Sequence, residues 1–132
     1  MSVTTVIGTE SGLTVSEVAA QSGVAPSAVR FYERHGVIRA QRTAGNQRRF
    51  ASDASCRIKV AKLAQRVGLT VKEIAETFDA LPPQPQPEEW SRIADHIVTE
   101  AEQRVEALKR AIAAMSTGGH LCDIDEALAT MP

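Results

Sequence analysis

Short amphipathic segments with clear start and stop signals occupy the first part of the chain. In LTVSEVAAQSG, the apolar residues fall on one helical face, Thr14 and Glu17 have the spacing of a capping box, and Gly23 supplies the stop. In VAPSAVRFYERHG, Pro26 stands just inside the start of a second helix and Gly36 ends it. Two short helices joined by a tight turn predict a helix-turn-helix unit.

The segment VIRAQRTAGNQRRFAS has the pattern of a β-hairpin. Val37 and Ile38 lead an extended stretch, and QRRFA returns after a turn at residues 44–46, where glycine and asparagine tolerate positive φ. The hairpin is strongly basic, so we predict a basic wing beside the helix-turn-helix unit. Its arginines are Arg39, Arg42, Arg48 and Arg49.

Two further helices are predicted after the hairpin. The third begins at an Asp53 cap and runs to Gly68. Cys56 falls on the side that we expect to be apolar, so it is predicted to be buried as a small hydrophobe, with a sensing thiol as the alternative. Thr70 and Glu73 form the capping box of the fourth helix. The apolar side of the third helix comprises Val60, Leu63, Ala64 and Val67.

A proline-rich stretch, PPQPQP, interrupts the helical pattern and predicts a semi-rigid linker. After it, apolar residues recur at spacings of three and four, which predicts a two-stranded coiled-coil dimerisation helix; an ordinary amphipathic surface helix is the alternative. The dimerisation residues are Ala94, Ile97, Ala101, Val105, Leu108, Ile112 and Met115. The predicted division is an N-terminal tail at 1–12, a winged helix-turn-helix domain at 13–81, the linker at 82–87, the long helix at 88–116 and a C-terminal sensor-like loop or tail at 117–132.

The charge of the chain is divided unevenly between its two halves. Residues 1–75 carry 11 lysines and arginines against five acidic residues, whereas residues 76–132 carry four against 11. A basic front half is typical of a module that binds a polyanion. No apolar run has the length of a membrane span, no signal peptide is recognisable, and the two cysteines suit a reducing compartment. We therefore expect a cytoplasmic, nucleoid-associated protein without a membrane partner.

No constellation of catalytic residues is recognisable. The three histidines, His35, His96 and His120, lie far apart, and there is neither a phosphate-binding glycine loop nor a zinc-type pairing of cysteines. We therefore predict that the chain is not an enzyme and has no metal or other cofactor.

The second helix has the composition of a DNA recognition helix. Arg30 could read guanine in the major groove or clamp a phosphate, while Ser27 and Tyr32 contact the DNA backbone. The wing arginines are expected to reach flanking phosphates. Replacing Arg48 or Arg49 with alanine should therefore weaken binding and flatten its salt dependence. The rival interpretation is a DNA-architectural or adaptor dimer without a regulatory role.

These segments together resemble one protein family. LTVSEVAAQSGVAPSAVRFYERHGVI followed by GNQRRF is similar to the MerR family of winged-helix regulators, and the blocks AKLAQRVGLTVKEIAETFDALP and EEWSRI resemble its SoxR branch. The resemblance implies a mainly α fold: a winged helix-turn-helix domain followed by a long dimerisation helix in an antiparallel coiled coil. It also implies a homodimer that bends and untwists an overlong promoter spacer, so that RNA polymerase can engage both promoter elements; RNA polymerase is thus an indirect partner of the protein. The expected DNA-binding residues are Ser27, Arg30, Tyr32, Arg34, Arg42, Asn46, Gln47, Arg48, Arg49 and Lys62, the last in a second, helical wing.

The C-terminal segment departs from the SoxR pattern. That branch holds a [2Fe–2S] cluster with four cysteines just after the dimerisation helix, and this chain has only Cys122 there, so we expect no such cluster. Three alternatives stay open: a metal bound by His120 and Cys122 with Asp123 or Asp125, a thiol switch, or an ordinary cysteine. A small organic effector could instead occupy an apolar pocket beside Trp90; the alternative is that Trp90 only anchors the packing of the dimer. The effector pocket would comprise Trp90, His120, Leu121, Cys122 and Ile124.

Overall fold

Five helices and one hairpin form the part of the chain that the computed structural model describes, residues 12–116. Their contacts divide the chain into two units, with the division after Trp90. The mainly helical architecture with a hairpin and a long last helix confirms the predicted fold class. The elements are α1 (Val15–Ser22), α2 (Pro26–Arg34), β1 (Ala40–Arg42), β2 (Arg48–Phe50), α3 (Ala54–Arg66), α4 (Val71–Phe78) and α5 (Pro87–Ser116).

The ends of α1 and α4 follow the capping signals of the sequence. The Thr14 hydroxyl accepts a hydrogen bond from the Glu17 backbone N–H at 3.1 Å, and the Glu17 carboxylate accepts one from the Thr14 N–H at 2.8 Å. Thr70 and Glu73 repeat this arrangement at α4 with the same two distances. Gly23 ends α1 at φ 71°, a left-handed conformation that glycine adopts without strain.

The core of the first unit lies where α1 contacts α2, α3 and β2. Burying these aliphatic and aromatic side chains stabilises the domain by the hydrophobic effect. The largest fully buried side chains are Val18, Val29, Val37, Phe50, Ile58 and Ile74.

The hairpin is short and is extended on one side by a single bridge. β1 and β2 pair antiparallel, with Arg42 opposite Arg48, and Asn46 in the turn has φ 62°. Leu13 and Phe50 exchange two backbone hydrogen bonds of 2.8 Å, which attaches the residue before α1 to β2. This bridge was not predicted, because one residue pair leaves no alternating pattern in the sequence.

The buried side of α3 differs from the predicted one. Cys56 is exposed, and Leu63 has 58% of its surface accessible. Of the four residues predicted to face the core, only Ala64 is buried. The contact face consists mainly of small side chains, which allow a neighbouring helix to approach closely. Most of the larger apolar side chains lie on the face that was predicted, and most of that face is not buried. The buried residues are Ala54, Ser55, Ile58, Ala61 and Ala64.

The start of α3 also differs from expectation in its side-chain bonding. Asp53 occupies the N-cap position, but its carboxylate makes no capping hydrogen bond. It instead accepts a hydrogen bond from Arg57 Nε at 2.7 Å. Arg57 also donates to the Pro82 carbonyl at 3.1 Å, which fixes the start of the proline-rich stretch against α3.

Helix α5 carries two kinds of apolar positions. Ile93, Ala107 and Ala111 are buried, and so is Arg104, which donates to Glu100 at 2.6 Å. A second set stays 45–62% exposed. We call this set the α5 stripe; it comprises Val98, Val105, Leu108, Ile112 and Met115. No helix within residues 12–116 is long and apolar enough to span a membrane.

Candidate nucleic-acid interface

Helix α2 presents a polar stripe to solvent. Ser27, Arg30 and Arg34 follow one another at spacings of three and four, and all three are exposed. On the opposite side Val29 is fully buried and Tyr32 is 6% exposed. Burial of one face therefore leaves the two arginines and the serine free to meet a partner.

Tyr32 connects α2 to α3 instead of facing solvent. Its hydroxyl donates a hydrogen bond to Gln65 Oε1 at 2.6 Å. Burial raises the pKa of the Tyr32 phenol above 10.0, because desolvation disfavours the charged phenolate. The sequence predicts that Tyr32 contacts the DNA backbone, whereas in the structure its hydroxyl is hydrogen-bonded to Gln65 of α3.

Phe31 packs within its own helix. Its ring meets the Tyr32 ring edge-on, with centroids 5.4 Å apart, and the His35 ring at 4.5 Å. The Arg34 guanidinium carbon lies 5.9 Å from the Phe31 centroid. These contacts give the exposed Arg34 side chain a cation–π support within α2.

The wing tip is ordered by its own arginines. Arg42 donates to the Asn46 carbonyl at 3.1 Å. Arg49 donates to the Gln47 side chain at 3.1 Å and to the Arg48 carbonyl at 3.0 Å. Asn46 and Gln47 themselves are exposed, so the tip presents both amide side chains and cations to solvent.

Arg48 contacts α2. Its Nε lies 3.3 Å from Glu33 Oε1, and both side chains are partly buried. Sequence reasoning assigned Arg48 to DNA and did not identify Glu33 at all. The two residues are 15 positions apart, and no local pattern marks such a pair.

Lys62 lies on α3 three residues before Gln65, so both side chains occupy the same side of that helix. Gln65 accepts the Tyr32 hydroxyl, so this side of α3 adjoins α2. The contacts of Glu33 and Tyr32 thus bracket α2 between the wing and α3.

The predicted effector site is described only in part. Trp90 is half-buried, and its ring meets Phe78 edge-on with centroids 6.0 Å apart. His120, Leu121, Cys122 and Ile124 lie outside residues 12–116. Within those residues, no group of three or more histidine, cysteine and acidic side chains is placed to hold a metal ion.

Comparison with known proteins identifies related sequences and folds. The family model described as MerR HTH family regulatory protein matches residues 13–81, and the one described as MerR, DNA binding matches residues 56–117. The chain is 36% identical over 103 residues to an HTH-type transcriptional activator SoxR homolog of Chromobacterium violaceum, covering 76% of this chain and 70% of that protein. It is 33% identical over 99 residues to a mercuric resistance operon regulatory protein of Shigella flexneri, covering 74% and 68%.

Solved structures share the fold at lower sequence identity. A crystal structure described as a MerR family transcriptional regulator from Listeria monocytogenes matches with TM-score 0.53 and 22% identity, over 89% of this chain and 95% of that one. HiNmlR, described as a MerR family regulator lacking the sensor domain and bound to promoter DNA, matches with TM-score 0.51 and 19% identity, over 91% and 95%. The family models and the identity to curated regulators show that this chain belongs to the MerR family of helix-turn-helix, DNA-binding transcriptional regulators.

Proposed function

We propose that this DNA-binding regulator acts as a homodimer on a pseudo-palindromic promoter operator and controls transcription by distorting the promoter spacer. MerR proteins are transcriptional regulators and not an enzyme class. The observation that carries the proposal is the position of α2, whose exposed polar stripe is bracketed by the basic wing and by α3. Because it acts on DNA, we place the protein at the nucleoid in the cytoplasm.

In this proposal α2 enters the major groove. Arg30 stands at the centre of the stripe, where an arginine can donate two hydrogen bonds to guanine O6 and N7 or clamp a phosphate. Ser27 and Arg34 flank it by about one turn on either side and contact the DNA backbone. Tyr32 acts indirectly, since its hydroxyl fixes α2 against α3.

The wing and α3 supply phosphate contacts on either side of the groove. Each phosphate neutralised releases counterions, so every contact steepens the salt dependence of binding by about 0.9 in the log–log slope. The proposed phosphate contacts are Arg42, Asn46, Gln47 and Arg49 of the wing and Lys62 of α3. Arg48 has a different position, beside Glu33 of α2.

The α5 stripe supports the homodimer. Apolar side chains that are 45–62% exposed in a single chain lose that exposure when two such helices pack side by side. The proposed antiparallel coiled coil pairs the stripes of two copies, and includes Ala94, Ile97 and Ala101 next to them. A dimer also presents two copies of α2, as a two-fold symmetric operator requires.

Distortion of the spacer gives regulation a physical basis. Bending a site of 20–30 base pairs costs on the order of 1–6 kcal/mol. An effector that switches transcription must therefore favour one state of the dimer by a free energy of that size. RNA polymerase takes part indirectly, because it responds to the altered spacer.

The residues of this chain do not fit a four-cysteine [2Fe–2S] cluster of the SoxR type. Such a cluster takes four ligands, usually thiolates, and the whole sequence contains two cysteines, Cys56 and Cys122. Cys56 is exposed on α3, and within residues 12–116 no group of three or more histidine, cysteine and acidic side chains is placed to hold a metal ion. We propose instead that the effector is a small organic molecule bound beside Trp90, in a site that includes residues 120–124.

Binding to the promoter of its own operon tests the proposal. Fluorescence anisotropy should show tighter binding to that duplex than to a scrambled duplex of equal length and composition, by about 1000-fold or more. The difference should persist as salt rises, while both affinities fall. Equal affinity for the two duplexes would instead indicate an architectural protein without sequence preference.

Absorption spectroscopy and metal analysis of protein purified without oxygen test the effector proposal. We expect a colourless dimer without bound iron, zinc or copper. A brown protein with iron would show a cluster with ligands other than the two cysteines of one chain. A stoichiometric metal lost in Cys122→Ser would favour the alternative sensor that uses His120 and Cys122.

A further inference from the structure

We propose that Arg48 is a positioning residue, which neutralises Glu33 and holds the wing against α2, and that it makes no phosphate contact. This inference rests on the proposed DNA-binding function. It separates Arg48 from its neighbours in the basic wing, although all of them carry the same charge.

The geometry of the pair favours an internal role. Arg48 Nε lies 3.3 Å from Glu33 Oε1, and the side chains are only 33% and 26% exposed. The Nε atom is itself buried, and among the described residues it has no hydrogen-bond partner beside this ion pair. If Arg48 turned outward, the Glu33 carboxylate would therefore stay partly buried without a counter-charge, which is costly.

The charge of Glu33 explains why the recognition helix needs such a partner. Glu33 adjoins Arg34 in a helix whose exposed stripe meets phosphates. An unpaired carboxylate at this position would repel the DNA backbone and offset part of the attraction from Arg30 and Arg34. The Arg48 guanidinium cancels that charge and at the same time sets the distance between α2 and β2.

Another arginine of the wing, Arg42, lies on the same face of the hairpin as Arg48 and can contact a phosphate. Arg42 lies opposite Arg48 in the register of the hairpin, so both side chains occupy the face that adjoins α2. Arg42 is exposed and bonded only to a carbonyl of its own turn, Asn46 O, among the contacts described. Arg42 is thus the cation available to DNA on this face, while Arg48 is committed to Glu33.

A double-mutant cycle on promoter affinity tests the proposal. Arg48→Ala should weaken binding by about tenfold, because it exposes the Glu33 charge, whereas in a Glu33→Gln background the same substitution should leave the log–log salt slope unchanged. Glu33→Gln combined with Arg48→Ala should recover most of that loss. Arg48→Lys, which keeps the neutralising charge, should bind within about threefold of wild type.

Two results would overturn the proposal. A log–log salt slope that is about 0.9 lower in Glu33→Gln/Arg48→Ala than in Glu33→Gln would show that Arg48 contacts a phosphate. An equal loss from Arg48→Ala in the wild-type and Glu33→Gln backgrounds would show that the two residues are not coupled. Circular dichroism of each variant checks that the fold is kept, and the slope comparison in the Glu33→Gln background supplies the test if Arg48→Ala alone does not fold.

The same cycle in the free protein separates this inference from the proposed function. Urea unfolding of the four proteins should show the two substitutions coupled by a factor of about three or more in the unfolding equilibrium constant. Coupling in the free protein without discrimination between promoter and scrambled DNA would refute the proposed function and keep the ion pair. Promoter binding without any coupling would refute the positioning role alone.

Discussion

Some polar side chains of the winged domain make contacts within the protein, whereas others are exposed to solvent. Only the exposed ones are available to contact DNA. Tyr32 and Arg48 look like DNA contacts in the sequence, yet each is committed to a partner within the protein. Ser27, Arg30 and Arg42 have the same polar character and remain exposed. Sequence identifies the polar residues, but only the packing of the wing and α3 against α2 shows which of them remain available.

Arg42 is predicted to be a phosphate contact of the wing. Arg42→Ala should weaken promoter binding and lower the log–log salt slope by about 0.9, because one fewer phosphate is neutralised. The matched control is Arg39→Ala, which removes the same charge from an arginine that is paired with Asp79 at 3.1 Å. Titrations at four or more salt concentrations measure both slopes, and equal slopes in the two variants would contradict the assignment.

The Tyr32 hydroxyl is predicted to stabilise the domain through Gln65. Tyr32→Phe should lower the free energy of unfolding by about 1 kcal/mol at neutral pH, since the partly buried hydrogen bond to Gln65 is lost. The raised pKa of Tyr32 means that the unfolded chain ionises first as the pH rises past 10.0. The hydroxyl's contribution is therefore complete below that pH and declines above it. Urea titrations should show the gap between the two proteins narrowing at alkaline pH, and a constant gap would argue against this account.

The helices show which features of a fold can be predicted locally. The capping boxes of α1 and α4 connect residues three positions apart, so their signal is present in the sequence and was confirmed. The buried face of α3 depends on which helices approach it, and there the prediction was wrong for Cys56 and Leu63. The Leu13–Phe50 bridge and the Glu33–Arg48 pair are likewise non-local, and no pattern of spacing announces them.

Thr70 is predicted to contribute through its cap alone. Thr70→Ala removes the acceptor for the Glu73 N–H and should destabilise the domain by about 1 kcal/mol. Thr70→Ser keeps the hydroxyl and should retain most of the stability. Thermal and urea unfolding followed by circular dichroism compare the three proteins. Equal losses in the alanine and serine variants would mean that the methyl group, and not the cap, stabilises α4.

At the scale of the whole molecule, the proposed homodimer is predicted to depend on the α5 stripe. Leu108→Glu places a charge among exposed apolar residues and should convert the dimer to a monomer with weaker promoter binding. Gln103→Glu adds the same charge at an exposed polar position of the same helix and should leave the dimer intact. Sedimentation velocity measures the mass of each variant. A Leu108→Glu protein that remains fully dimeric would place the dimer contact elsewhere.

Hydroxyl-radical footprinting on the promoter of its own operon tests the central claim most directly. If two copies of α2 and the wing read the operator, the footprint should contain two protected patches related by a two-fold axis. The Arg42→Ala protein should lose protection only at the phosphates flanking each patch. A uniform footprint without symmetry, or one that Arg30→Ala and Arg42→Ala leave unchanged, would contradict the assignment of α2 and the wing as the DNA-binding surface.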